Sequence, residues 1–222
     1  MATTLAFDVY GTLIDTQGIS RQLSALVGER AEGFARTWRD KQLEYSFRRG
    51  LMGLYRDFDV CTRQALDYCC LAFAVDLPRE TREALMGHYR QLPAFPDAKA
   101  GLATLGQAGY RLFAFSNGRR DAVAALLDNA GLAQHFADIV SVEEVTSFKP
   151  DPAVYKHFLA RAGAPAADAW LVSSNPFDVI GAVSAGMRAA WVRRSPQAVL
   201  DPWEIVPTAT VADLQALPAA LF

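Results

Sequence analysis

Cysteine is scarce in this chain of 222 residues: only Cys61, Cys69 and Cys70 occur. Their spacing fits no zinc or redox motif, and an odd count argues against a disulfide framework, so a reducing, cytoplasmic setting is expected. Long apolar runs are missing as well. No stretch reaches the ~18 residues that cross a bilayer, and no basic segment leads into an apolar one, so neither a membrane span nor a signal peptide is expected. Charge of one sign is not in excess: the formal net charge is -2 and the pI ≈ 5.9. That balance offers no basic surface for nucleic acid or for an acidic membrane. Glycine-rich phosphate loops of the GxGxxG or Walker type are absent from the sequence, which leaves a nucleotide cofactor unsupported. The three histidines, His88, His135 and His157, lie far apart and are expected at the surface or half-buried.

What is present is an ordinary globular composition, with 51% hydrophobic and 21% charged residues. The length suits one large domain, or a domain with an insertion. Residues 4–8 read as a short buried strand. From about 16 to 93 the pattern turns helical, with room for four helices. Phe34, Trp38, Leu43 and Phe47 mark one helical face; Leu66, Cys69, Cys70 and Phe73 mark another. Asp76-Leu77-Pro78 breaks that run, and Arg79 to Gln91 forms a further helix. Beyond Pro93 to Pro96, helices and strands alternate. Helices are expected over 99–108, 121–130, 152–162 and 179–185, and strands over 111–115, 139–141, 170–172 and 189–192. Such alternation predicts a doubly wound, Rossmann-like α/β fold with a parallel sheet, into which the helical stretch is inserted.

In open α/β sheets, ligands bind beyond the carboxyl ends of the strands. Those ends here carry polar groups. Asp8 follows the first strand, and Ser116-Asn117-Gly118 follows the next. Lys149 stands in Ser147-Phe148-Lys149-Pro150-Asp151-Pro152, and Ser173-Ser174-Asn175-Pro176-Phe177-Asp178 closes a later strand. Alone, each has an ordinary explanation as a turn residue, a helix cap or a surface lysine. Together, in order and at successive strand ends, they point to one catalytic site. Asp15 is better explained as a cap or loop residue.

The run Leu5 to Asp15, with Asp8, Thr12, Ser116, Lys149 and Asp178, resembles the motifs of the haloacid dehalogenase superfamily. The resemblance implies that Asp8 is a nucleophile. Phosphatases of that superfamily carry a second aspartate two residues later, which protonates the leaving group; Tyr10 stands there instead. Halide leaves without protonation. Magnesium-dependent relatives place Gly-Asp where Ser174-Asn175 stands, so no metal is expected. The segment Trp38 to Tyr45, with Arg39, is similar to the arginine-bearing segment of the L-2-haloacid dehalogenases, and Tyr155 and Phe177 extend the match.

The resemblance implies an α/β core over 1–14 and 97–222, a helical cap domain over 15–96, and a homodimer. It also implies roles. Asp8 attacks C2 of an L-2-haloacid to form an ester. Lys149, Thr12 and Ser173 hold its carboxylate. Ser116 and backbone N–H groups take the substrate carboxylate. Arg39, Asn117 and the ring edge of Phe177 receive the halide. Tyr10, Leu43 and Phe58 wall the C2 substituent, and Tyr155 also lies among the substrate contacts. Asp178 orients or deprotonates the hydrolytic water, which Asn175 and Lys149 place. A phosphatase, or a non-catalytic module that binds carboxylates in the same cleft, is the alternative.

Overall fold

Six segments form one parallel sheet in a computed structural model that describes residues 3–221. Residues 1, 2 and 222 of the expected core span lie outside the described residues. The strands are β1 (Thr4–Phe7), β2 (Arg111–Ser116), β3 (Asp138–Ser141), β4 (Ala169–Ser173), β5 (Arg188–Val192) and β6 (Ala209–Val211). Their spatial order is β3-β2-β1-β4-β5-β6, and every adjacent pair is parallel. Leu5, Ala6 and Phe7 of β1 are wholly buried, as a strand covered on both faces must be. Strand β6 was not expected from the sequence. It has three residues, too few to display a period, and pairs only with β5.

Four helices fill the connection from β1 to β2: α1 (Ser20–Val27), α2 (Ala31–Leu51), α3 (Phe58–Ala72) and α4 (Arg79–Tyr89). Helices α2 and α3 pack together, and the Trp38 indole on α2 donates 2.8 Å to the Thr62 carbonyl on α3. The buried stripe of α2 runs through Phe34, Trp38, Gln42 and Ser46. The expected face drifted off that line, because Leu43 and Phe47 are only half-buried. Cys69 and Cys70 are buried inside this helical insertion; burial pushes the Cys69 thiol up to about 12, a setting in which a cysteine is inert.

The two connections to the insertion run side by side. Asp15 N–H donates to the Pro93 carbonyl at 2.8 Å, Phe95 N–H donates to the Leu13 carbonyl at 2.9 Å, and Ile14 bridges Ala94 in antiparallel fashion. Arg194 braces this neck. Its guanidinium pairs with Asp97 at 2.6 Å, donates to the Thr12 carbonyl and lies 4.1 Å over the Phe95 ring.

The remaining helices are α5 (Ala98–Gln107), α6 (Arg120–Asn129), α7 (Pro152–Ala162) and α8 (Pro176–Ser184). Both α7 and α8 begin on a proline, whose missing N–H costs nothing at a helix start. Helix α8 starts three residues before the expected Val179. Asp178 therefore sits in its first turn rather than in the loop before it.

Candidate active site

Strand β1 lies where the strand order reverses, with β2 on one side and β4 on the other, and this is where open sheets place their ligands. Asp8 follows its last residue. One buried ammonium joins it to a second carboxylate: Lys149 Nζ is 3.2 Å from Asp8 Oδ1 and 2.9 Å from Asp178 Oδ2. The third Nζ donor goes to the Phe115 carbonyl at 2.8 Å. Lys149 is 1% exposed and Asp178 not at all. Lysine is seldom buried unless paired, and here all three of its donors are used. Burial pushes the Asp178 carboxyl above the ordinary carboxylate range; Lys149 opposes the rise and Asp8 adds to it.

The other Asp8 oxygen, Oδ2, accepts 2.8 Å from the Thr12 hydroxyl and 2.7 Å from the Asn175 amide. Thr12 is fixed in turn by Ser174, whose backbone N–H donates to Thr12 Oγ1 at 2.8 Å. Ser173 does not take the expected place beside Asp8. Its hydroxyl turns into the β4–α8 connection and accepts from the Asn175 N–H at 3.1 Å, so it supports the residue that holds Asp8. Tyr155 also differs from expectation. It is wholly buried behind the site on α7, and its hydroxyl donates 2.8 Å to Asp178 Oδ1. It orients the acid and does not line the cleft.

Tyr155 lies so close to α8 that only a glycine fits opposite it. A Cβ on Gly181 would collide with the Tyr155 hydroxyl and stand 2.8 Å from Pro150 Cβ. Gly181→Ala is therefore expected to lower stability by about 1–3 kcal/mol through overpacking, and to reduce turnover by displacing Tyr155 from Asp178. Denaturant titration beside a turnover assay measures both.

The insertion supplies the other wall. Tyr10 is buried against Phe58 at 5.7 Å between ring centroids and stacks on Tyr89 at 6.1 Å. Burial first, and then Tyr89, push the Tyr10 phenol far above its ordinary range. Arg39 donates to the Tyr10 carbonyl at 3.2 Å. That carbonyl also accepts from Asn175, so the arginine of the insertion is tied to the loops around Asp8. Leu43 is half-buried against the core and Phe58 is buried. On the sheet side, Ser116 Oγ accepts from the Gly118 N–H and Asn117 Oδ1 accepts from the Lys149 N–H. Phe177 packs edge-on against Phe47 of α2 at 5.0 Å. These two rings border a cavity of about 730 Å³, also lined by Phe148, Lys149 and Trp203.

The arrangement suits nucleophilic attack by a carboxylate followed by hydrolysis at a second carboxylate. It does not suit a hard cation. Lys149 Nζ stands between the two carboxylates where such an ion would have to sit, and residue 175 is an amide. Among the described residues no group of three or more His, Cys, Asp or Glu side chains could hold a metal ion.

A family model described as haloacid dehalogenase-like hydrolase matches residues 2–186. The chain belongs to this family. Among the haloacid dehalogenase-like hydrolases it is similar to the (S)-2-haloacid dehalogenase of Xanthobacter autotrophicus, 39% identical over 201 residues, which cover 90% of this chain and 78% of that protein. The (S)-2-haloacid dehalogenase 2 of Pseudomonas sp. (strain CBS-3) is 34% identical over 191 residues, covering 86% and 83%. The crystal structure of the Xanthobacter autotrophicus L-2-haloacid dehalogenase with chloropropionic acid covalently bound superposes with a TM-score of 0.91 at 33% identity, covering 99% of this chain and 98% of that one.

Three residues of the site took no expected role in holding Asp8 or Arg39. Ser174 entered only as the place where metal-dependent relatives carry glycine, Gln42 is a common polar residue, and Tyr89 reads as helix core. All three make buried or part-buried polar contacts around Asp8 or Arg39.

Proposed function

We propose that this chain hydrolyses L-2-haloacids to D-2-hydroxyacids through an ester on Asp8, without a metal ion, and that residues 15–96 act as a cap over the core formed by 1–14 and 97–222. Position 10 carries the reading. A phosphatase of this family needs an acid there, and the buried Tyr10 phenol, pushed far up, is a poor proton donor at neutral pH. Halide needs none.

In the first half-reaction an Asp8 carboxylate oxygen attacks C2 from the side opposite the halogen. The C–O bond forms, the carbon–halogen bond breaks, and halide leaves with the bonding pair. In the second, water attacks the ester carbonyl carbon and passes a proton to Asp178. The O–C2 bond stays intact while the acyl C–O bond breaks; the leaving alkoxide takes the proton back from Asp178, and the hydroxyacid departs with an oxygen that came from Asp8. Asp178, with its raised affinity for a proton, suits the base role. Thr12, Asn175 and Lys149 hold Asp8 in line; Ser116 and Asn117 face the substrate carboxylate and halide; Tyr10, Leu43 and Phe58 wall the C2 substituent. The family resemblance also supports a homodimer, and the cysteine pattern supports a reducing, cytoplasmic setting. No described helix is long and apolar enough to cross a membrane.

The test is turnover of the two enantiomers of 2-chloropropionate with a chelator present. Chloride and D-lactate should appear from the L-enantiomer alone, at a rate the chelator does not change. Racemic lactate, or activity restored only by magnesium, would overturn the reading, and phosphate release from phosphoesters would favour the phosphatase. A second expectation concerns the insertion. Arg39→Ala should lose about a hundredfold or more in kcat/KM, as for a positioned charge in a desolvated site, and Lys41→Ala should lose little. Lys41 instead pairs with Glu44 and lies over the Tyr68 ring of α3. Parallel kinetics of the two variants check this.

A further inference from the structure

Helix α2 buries a glutamine where its apolar stripe should continue. Gln42 is wholly buried, one helical turn from Arg39. Its Oε1 accepts from two donors: Arg39 Nη1 at 2.7 Å and the Tyr89 hydroxyl at 2.9 Å. Its Nε2 donates to Thr62 Oγ1. The Thr62 hydroxyl hydrogen is committed to the Phe58 carbonyl at 2.9 Å, so Thr62 Oγ1 can only accept from Gln42. This fixes which way the amide points: its oxygen faces the guanidinium and the phenol. A flipped amide would turn its N–H₂ group on the Arg39 guanidinium, which can only donate, and its oxygen on Thr62 Oγ1, whose hydrogen is already spent.

The consequences reach the nucleophile. Held by Gln42 on one nitrogen, Arg39 places its other terminal nitrogen 3.2 Å from the Tyr10 carbonyl. That carbonyl is shared with Asn175, which donates to Asp8 Oδ2. A continuous line of hydrogen bonds thus runs from α3 through Gln42 and Arg39 to Asp8. Arginine on an exposed helix face samples many rotamers; this one has two of its five donors pinned, and Tyr89 is itself wedged between Trp38 and Tyr10.

We propose that Gln42, oriented by Thr62 and Tyr89, is the positioning residue that aims the Arg39 guanidinium at the departing halide and so sets the enzyme's preference among halogens. The proposal rests on the dehalogenase reading of the same site. Chloride is a poorer leaving group than bromide and carries more of the demand for a well-aimed cation in the transition state. Loosening Arg39 should therefore penalise chloro substrates more than bromo substrates. Hydrolysis of the ester, which occurs after the halide has gone, should be spared.

The experiment measures single-turnover halide release from L-2-chloropropionate and L-2-bromopropionate, and decay of the alkylated enzyme, in wild type, Gln42→Leu, Thr62→Val and Tyr89→Phe. Gln42→Leu is expected to slow chloride release by about tenfold or more, in line with the loss of one hydrogen bond to a charged group. Bromide release should slow less, so that the bromide-to-chloride ratio rises. Ester decay should match wild type. Tyr89→Phe and Thr62→Val should move the ratio in the same direction by less, and they decide the matter if Gln42→Leu does not fold. Equal losses on both substrates, or an unmoved ratio in folded variants, would overturn the positioning role while the wild-type rates leave the dehalogenase reading intact. No halide release from wild type would instead remove that reading, and the proposal with it.

Discussion

Lys149→Met should reduce halide release by a thousandfold or more, on the order expected when a buried, fully paired charge is removed from a catalytic pair, and should cost about 3–5 kcal/mol of stability. Methionine fills most of the space but supplies no charge. Asp8 and Asp178 would then face each other with no cation between them, although both now lean on one ammonium. Two carboxyls in that position share a proton rather than both ionise. The direction of the pH effect follows. Burial already raises Asp178, and Lys149 is the largest influence holding it down. Without Lys149 its carboxyl moves higher, so residual activity should require more alkaline conditions than wild type. A pH–rate profile with a thermal melt checks both effects. An acid limb at the wild-type position would mean that the ammonium does not govern the pair.

Asp8→Ala should release no measurable halide, a loss of about 10⁴-fold or more as for other covalent nucleophiles, and should stay folded. Asp8 sits beyond the end of β1 rather than inside it, with 7% of its surface exposed. The companion measurement separates a nucleophile from a base. In one turnover in heavy-oxygen water with enzyme in excess, the product hydroxyl should be almost unlabelled. The peptide that contains Asp8 should gain the label. Labelled product with an unlabelled peptide would falsify the ester and make Asp8 a general base acting on water.

The sheet was legible because its strands are buried on both faces and therefore read as apolar runs, and because each ends on a polar loop. Boundaries shifted by one or two residues, as at Thr4–Phe7 against 4–8. The start of α8 moved further, since a proline at a helix start looks like a loop residue when only sequence is available. The core loops around Asp8, Lys149 and Asp178 stood out through residue type at strand ends. Other positions did not. Ser173 and Ser174 are adjacent and chemically identical, and only the turn into α8 decides which one meets Thr12. Tyr155 carries a helical period that gives its face but not whether its hydroxyl reaches the cleft or stops behind Asp178. Gln42 gives no apolar signal, because the buried stripe of α2 continues there in polar residues.

The paired neck between sheet and insertion has a meaning in polymer terms. The chain departs at Ile14 and returns at Ala94, and those two residues touch, so the whole excursion is closed at its base. For a loop tied off in this way, doubling its length changes the closure entropy by only about 0.6 kcal/mol. Residues added to or removed from the helices therefore cost the fold little in closure entropy. The β1–β2 register is held at the neck and its Arg194–Asp97 brace, while the side chains around Asp8 also feel the insertion through Arg39 and the Tyr10 carbonyl. The helices can thus change length by insertion and deletion as long as Arg39 keeps its reach to the Tyr10 carbonyl, while the sheet below stays in register.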